Sequence, residues 1–185
     1  MTETGRDEVD GLAEDWEHQR DDLTAADLVP LHLMSRIARL ARHLDRERRL
    51  AFRSSGLDAG EFDVLAELRR AGPDAHLSPG ALQRATLVSS GTMTHRLDKL
   101  EAAGLIARAP DPGDGRGVLV RLLPLGRTTV DAALDALLAA ERRLVRALGD
   151  EATGELIGGL RRLLSVYERS RPAGDDGAEG AGSDG

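Results

Sequence analysis

The sequence has no cysteine among its 185 residues. This absence excludes disulfide bonds, thiolate catalysis and cysteine-based redox sensing. Long apolar runs are missing as well, since no stretch approaches the ~18 residues that a membrane-spanning helix requires. The N-terminus, MTETGRDEVDG, is acidic and lacks the basic-then-apolar pattern of a secretory signal. We therefore expect a cytoplasmic protein without a membrane partner.

The excess of negative over positive charge, a formal −7 overall, comes from the two ends of the chain. Residues 1–22 hold two arginines against nine acids, and residues 172–185 hold four acids and no base. The block between them, residues 23–171, carries 23 basic against 19 acidic residues and is therefore positive. The acidic pI of the whole chain therefore does not exclude a negatively charged partner for residues 23–171. The terminal stretch RPAGDDGAEGAGSDG has too little apolar surface to order itself, so we expect it to be disordered.

Motifs of catalysis, metal binding and phosphate binding are missing. The five histidines include no pair at metal-ligand spacing, and DPGDGRG lacks the ligand spacing and closing Glu of a calcium loop. Its GDGRG joins two predicted strands and does not open a helix, so it is not a phosphate loop. We therefore expect no enzyme activity, no catalytic residues, no metal site and no cofactor.

Helical periodicity and capping residues divide the first hundred residues into helices. A short amphipathic helix is predicted around residues 9–16, and Thr24 with Asp27 forms a capping box for a long helix that reaches about residue 53. Asp58 and Glu61 cap the next helix, which ends near Gly72. Two short helices follow, one opened by Ser78-Pro79 and one over residues 89–104.

After Gly104 the pattern changes from helix to strand. LIARA and VLVRLL are predicted to form two strands joined by the turn-rich DPGDGRG. Two apolar helices, at about residues 127–148 and 155–168, complete the chain and are separated by Gly149. We expect the second of these to be weakened by Gly158-Gly159. The predicted fold class is mainly α with a small β-hairpin.

Two short helices, a tight turn and a hairpin are the parts of a winged helix-turn-helix, in which the second short helix enters the DNA major groove. In helix 89–104 the apolar residues share one face, which should pack on the core. The opposite face alone would be typical of a solvated helix, but the hairpin that follows favours DNA binding. Its small, hydroxyl-bearing and basic side chains suit base edges and phosphates. The residues that we expect to contact DNA are Ser89, Ser90, Thr92, His95, Lys99 and, at the hairpin tip, Arg116.

The segment from Leu77 to Arg127 resembles the DNA-binding lobe of MarR-type bacterial transcription regulators. The matching positions are Leu100, Gly104, Leu105, Ile106, Asp114, Arg116, Gly117, Leu122 and Gly126. The chain departs from the family pattern at Leu123, where Thr is usual, and at Leu125, where an acid is usual. The resemblance covers about residues 28–170 and implies a homodimeric regulator bound to double-stranded DNA.

A narrower similarity, to the urate-responsive group of that family, implies a ligand site. That group has an extra N-terminal helix with a Trp, an Asp in the second helix and two Arg, and the matching residues here are Trp16, Asp63, Arg96 and Arg108. The implied effector is a small planar anion, such as urate or a related organic acid. Asp63 lies between two apolar residues, where a carboxylate needs a partner, and we expect Arg96 and Arg108 to bind it in the absence of ligand.

The expected organisation is an acidic N-terminal extension with a short helix (1–23), a dimerisation helix (24–57), a winged helix-turn-helix lobe (58–124), C-terminal dimerisation helices (125–170) and a disordered acidic tail (171–185). The leading hypothesis is a homodimeric repressor released from a pseudo-palindromic operator by the anionic ligand. In a second hypothesis the protein binds DNA without a ligand and the Asp63, Arg96 and Arg108 cluster is structural. A third, a protein-interaction module with this fold, is the least favoured.

Overall fold

A computed structural model describes residues 5–113 and 117–169. The predicted disorder of residues 171–185 and the wing-tip role of Arg116 fall outside the described residues. The elements in chain order are α1 (Glu8–Gln19), α2 (Ala25–Phe52), a short 3₁₀ turn (Arg53–Ser55), α3 (Ala59–Ala71), α4 (Pro79–Thr86), α5 (Ser90–Ala102), β1 (Ile106–Pro110), β2 (Val118–Leu122), α6 (Pro124–Leu148) and α7 (Asp150–Arg169). The predicted class, mainly α with a two-stranded hairpin, is confirmed.

The predicted helix starts are confirmed by their capping interactions. The Asp27 carboxylate accepts hydrogen bonds from the Thr24 N–H (2.9 Å) and hydroxyl (2.6 Å) before α2. Asp58 accepts from the Glu61 N–H, and Glu61 accepts from the Asp58 N–H, both at 2.8 Å, at the start of α3. These reciprocal bonds satisfy N–H groups that a first helical turn leaves without a partner.

The C-terminal helices are longer than their apolar periodicity predicts. α6 begins at Pro124, where a proline is tolerated because the first helical N–H needs no partner within the helix. α7 begins at Asp150, directly after Gly149, whose left-handed φ of 81° separates the two helices. α7 also runs through Gly158 and Gly159 without interruption. A helix can therefore tolerate the conformational cost of two glycines.

The hairpin carries a third short segment that the sequence does not predict. β1 and β2 pair antiparallel, with Arg108 opposite Val120 and Ile106 opposite Leu122. Leu77, just before α4, exchanges two backbone hydrogen bonds with Val120, at 3.0 and 2.9 Å. The base of the wing is thereby fixed to the helix-turn-helix.

The hydrophobic core lies in the first of the two compact units into which the chain divides, residues 1–138 and 139–185. It is built from α2, α3, α4, α5, both strands and the first half of α6, and Phe52 stacks on Phe62 with ring centroids 4.3 Å apart. In the second unit, α7 has no buried residue. Large apolar side chains of that helix are exposed, among them Leu156, Ile157, Leu164 and Tyr167.

Candidate nucleic-acid interface and anion site

The α4–α5 pair has the geometry of a helix-turn-helix. Ser78 caps α4 through a hydrogen bond from the Ala81 N–H (3.2 Å), and Leu87 ends α4 with a left-handed φ of 54°. Ser89 then caps α5, accepting from the Thr92 N–H at 3.4 Å. The turn is therefore only Leu87–Ser89, and it holds α5 at a fixed angle to α4.

One face of α5 is packed and the other is open to solvent. Met93, Leu97 and Leu100 are buried in the core, as predicted. The exposed side chains include Ser89, Ser90, Thr92 and His95. In the described part of the chain, the side chains of Ser90 and His95 form no hydrogen bond or ion pair. Their donors and acceptors are therefore available to an external partner.

Lys99 does not lie free on that face. Its Nζ lies 2.6 Å from Glu61 Oε1 and 3.4 Å from Asp58 Oδ2, both in the first turn region of α3. The hydrogen bond and charge of Glu61 raise the pKa of Lys99. The side chain of Lys99 therefore turns towards α3 in this structure, and its contact with DNA stays a prediction.

Arg108 connects α5 to the wing. Its Nε and backbone N–H donate to the Glu101 carboxylate at 2.8 and 3.0 Å, and its Nη2 donates to Asp98 at 2.7 Å. The hydrogen bonds from Arg108 lower the pKa of Glu101. The expectation that Arg108 binds Asp63 is wrong, because the two carboxylates of α5 occupy its guanidinium.

Asp63 binds Arg48 of α2, and neither of the two predicted arginines. Arg48 Nη2 lies 2.5 Å from Asp63 Oδ1, and the Arg48 guanidinium also lies 5.7 Å above the centre of the Phe52 ring. Arg48 was missed because α2 carries arginines at many positions and no local pattern distinguishes this one. The predicted Asp63–Arg96 pair is also wrong, because Arg48 already neutralises the Asp63 carboxylate.

Arg96 is placed differently from every other predicted site residue. Its guanidinium occupies the space beside buried Gly60, where a β-carbon would overlap it. Gly60 precedes Asp63 by one turn of α3, so Arg96, which belongs to α5, packs against α3 one turn away from Asp63. In residues 5–113 and 117–169, Arg96 forms no ion pair or hydrogen bond. It is thus a half-buried cation without a described counter-charge.

Trp16 lies on α1, which packs on α2 through the buried Val9 and Ala13. Arg36 holds α1 in place, with hydrogen bonds to Asp7 (2.9 Å) and Asp10 (2.7 Å). The bond from the Asp7 N–H and the bond from Arg36 lower the pKa of Asp10. Trp16 is 45% exposed, and its ring stacks on no other side chain of the described chain. The structure therefore does not bring Trp16 onto the other three predicted ligand residues.

A family model described as the MarR family matches residues 55–117. The regulator PecS of Dickeya dadantii is 32% identical over 162 residues, covering 88% of this chain and 93% of its own. The repressor NicR of Pseudomonas putida is 28% identical over 153 residues, covering 80% of this chain and 92% of its own. The chain belongs to the MarR family of transcription regulators.

The solved MarR-family structures support the same fold. A mutant of Escherichia coli MarR, complexed with operator DNA, superposes with a TM-score of 0.65 at 27% identity, covering 75% of this chain and 96% of that one. Because the relatives are named as transcription regulators, the prediction that the chain is not an enzyme is confirmed. Among the helices that the structure describes, none is long and apolar enough to cross a membrane.

Sequence reasoning also missed Arg84 as a candidate DNA contact. It is exposed on α4, the helix that crosses the DNA backbone in a helix-turn-helix. It has no ion-pair partner in the described ranges. The sequence did contain a signal for this contact. Arg84 lies two residues after the buried Leu82, and this spacing in a helix directs the Arg84 side chain away from the core.

Proposed function

We propose that this MarR-family protein acts as a homodimeric repressor in the cytoplasm, where a small planar anion such as urate releases it from operator DNA. The observation that carries DNA binding is the open polar face of α5, held by Ser89 at its start and by Arg108 against the wing. Rigid placement matters because base recognition requires hydrogen bonds of near-ideal geometry.

The DNA contacts that we propose follow from where α5 is exposed. Thr92 and His95 would contact base edges, Ser89 and Ser90 would contact phosphates, and Arg116 of the wing would enter the adjacent minor groove. The E. coli MarR mutant forms a complex with operator DNA, which supports a similar role here. We also propose that Arg84 of α4 contacts the DNA backbone.

We propose a homodimer because apolar surface is left uncovered in each of the two units. Leu33 and Leu40 of α2 are 49% and 48% exposed, and Leu156 and Leu164 of α7 are 47% and 60% exposed. Helical surfaces of this kind are commonly covered by a second chain. Two-fold symmetry would place the two α5 helices about 34–36 Å apart, on a pseudo-palindrome. Light scattering should give twice the chain mass.

The effector site that we propose centres on Arg96. A guanidinium without a counter-charge binds a flat anion bidentately, and the space beside Gly60 accommodates this one. Asp63, one turn along α3, would accept a ligand N–H, and Trp16 could cover the ligand if α1 shifts. Arg108 would take part through the α5–wing contact. Urate has both the charge and the N–H groups that such a site requires.

The alternative of a DNA-binding regulator without a ligand is favoured by one specific observation. Asp63 and Arg108 both have complete ion pairs already, with Arg48 and with Glu101 and Asp98. Titration calorimetry with urate distinguishes the two functions. Binding that is lost in Arg96→Ala supports the ligand site, whereas no binding to the wild type supports the alternative.

A further inference from the structure

Lys99, the one lysine of the sequence, lies on α5 three residues after Arg96. Both side chains point towards the first turn region of α3, Arg96 beside Gly60 and Lys99 between Asp58 and Glu61. Three residues of α3 and its cap thus meet two residues of α5. This contact fixes the middle of α5, whereas Ser89 fixes its beginning and Arg108 its end.

Glu61 is the buried member of this contact. Its side chain is 8% exposed, and its second carboxylate oxygen accepts the Asp58 N–H at 2.8 Å. A buried carboxylate that loses its cation is costly, because neither water nor another charge compensates it. Among the described residues, Lys99 is its one cationic partner. Glu61 therefore holds the lysine at one place on α3.

We propose that Lys99 is a positioning residue for DNA binding, which acts through Glu61 and does not contact a phosphate. The inference rests on the proposed operator binding. If the Lys99–Glu61 bond is broken, α5 can rotate or shift on α3, and the outer residues Thr92 and His95 lose their alignment with the bases. The protein would still fold, because Met93, Leu97 and Leu100 remain in the core.

This role differs from a phosphate contact in its dependence on salt. Each phosphate contact adds close to one unit to the slope of log affinity against log salt concentration. Loss of a phosphate-binding lysine would therefore reduce that slope by about one. Loss of a positioning lysine lowers affinity at every salt concentration and leaves the slope unchanged.

The experiment measures operator affinity of the full chain across a salt series for Lys99→Gln, Glu61→Gln and the double variant. Glu61→Gln keeps an oxygen for the Asp58 N–H, so the cap of α3 is retained. Lys99→Arg serves as the conservative rescue. Arg42→Gln, which removes an exposed charge on α2 that has no ion pair in the described residues, controls for net charge. Melting temperatures are measured in parallel.

We expect each single glutamine variant to lose roughly five- to tenfold in affinity, comparable to misplacing one base contact. The double variant should lose no more than either single variant, since both break one interaction, and Lys99→Arg should restore affinity. Three results would overturn the inference: a slope reduced by about one in Lys99→Gln alone, additive losses, or lower melting temperatures with unchanged affinity. A wild type that binds no DNA sequence preferentially would contradict the proposed function instead.

Discussion

The guanidinium of Arg96 fills the position that a side chain on Gly60 would take. This relationship brings a cation of α5 against the backbone of α3, one turn from Asp63. Gly60 is helical, and its φ is not in the left-handed region, so the glycine is needed here for space and not for conformation.

Replacement of Gly60 by alanine should displace Arg96 without unfolding the protein. The overlapping atoms belong to the mobile end of a long side chain, and alanine is favoured over glycine in a helix by ~0.5–1 kcal/mol. We expect an unchanged or slightly higher melting temperature and an affinity for urate lowered by about tenfold or more. Titration calorimetry and thermal melting provide the two measurements. Urate binding as in the wild type would show that the ligand does not use Arg96 in this position.

Replacement of Gly126 by alanine should have the opposite effect on stability. A β-carbon there would overlap the Leu105 carbonyl oxygen and approach Leu122, and a backbone atom cannot move aside as a side chain does. Overpacking of this kind costs ~1–3 kcal/mol. Urea unfolding should give that loss, while the matched variant Gly154→Ala, whose β-carbon would meet open space, should lose nothing.

Disruption of the Arg36 contacts should loosen α1. Trp16 is the one tryptophan of the chain, so its fluorescence reports on α1 alone. In Arg36→Gln we expect acrylamide to quench Trp16 more strongly, by a factor of roughly two or less because surface ion pairs contribute little. Arg42→Gln should leave the quenching unchanged. Equal quenching in all three proteins would mean that Val9 and Ala13 alone hold the helix.

The Arg108 contact should depend on pH through Glu101. Because the folded protein lowers the pKa of Glu101, the stabilisation is complete above its ordinary value of about 4.3 and is lost as the pH falls through the lowered value. Arg108→Gln should therefore melt roughly 2–4 °C below the wild type near neutral pH. The two melting temperatures should converge as the pH falls below the lowered pKa of Glu101. A difference that persists in acid would mean that Arg108 stabilises the wing by packing.

Local signals in the sequence were sufficient for the elements and insufficient for the ion pairs. The capping box of Asp58 and Glu61 and the Ser78-Pro79 start are read from residues within one turn, because the interactions that make them are local. The partners of Asp63 and Lys99 lie 15 and 38 residues away in the chain. Several arginines could reach Asp63 equally well on a helical wheel, so only the packing of α2 on α3 selects Arg48.

The extent of the C-terminal helices was underestimated for a related reason. Apolar periodicity identifies only the part of a helix whose side chains pack against other residues. α7 begins at Asp150, which precedes the first apolar residue of that periodic pattern. Acidic residues in a first turn are stabilised by the helix dipole, and this signal at Asp150 and Glu151 was available. The bridge from Leu77 to Val120 had no such signal, because two residues of backbone pairing leave no pattern in the sequence.

The central claim, that the outer face of α5 recognises operator DNA, is tested most directly by selecting bound sequences from a random DNA library with the wild type and with His95→Ala. The account predicts that the wild type enriches an inverted repeat whose half-site centres lie one helical turn apart. It also predicts that His95→Ala, with an unchanged melting temperature, loses preference at one symmetric pair of positions, by ~1–3 kcal/mol per base pair. Enrichment of the same repeat by both proteins with equal affinity, or of no repeat by the wild type, would contradict it.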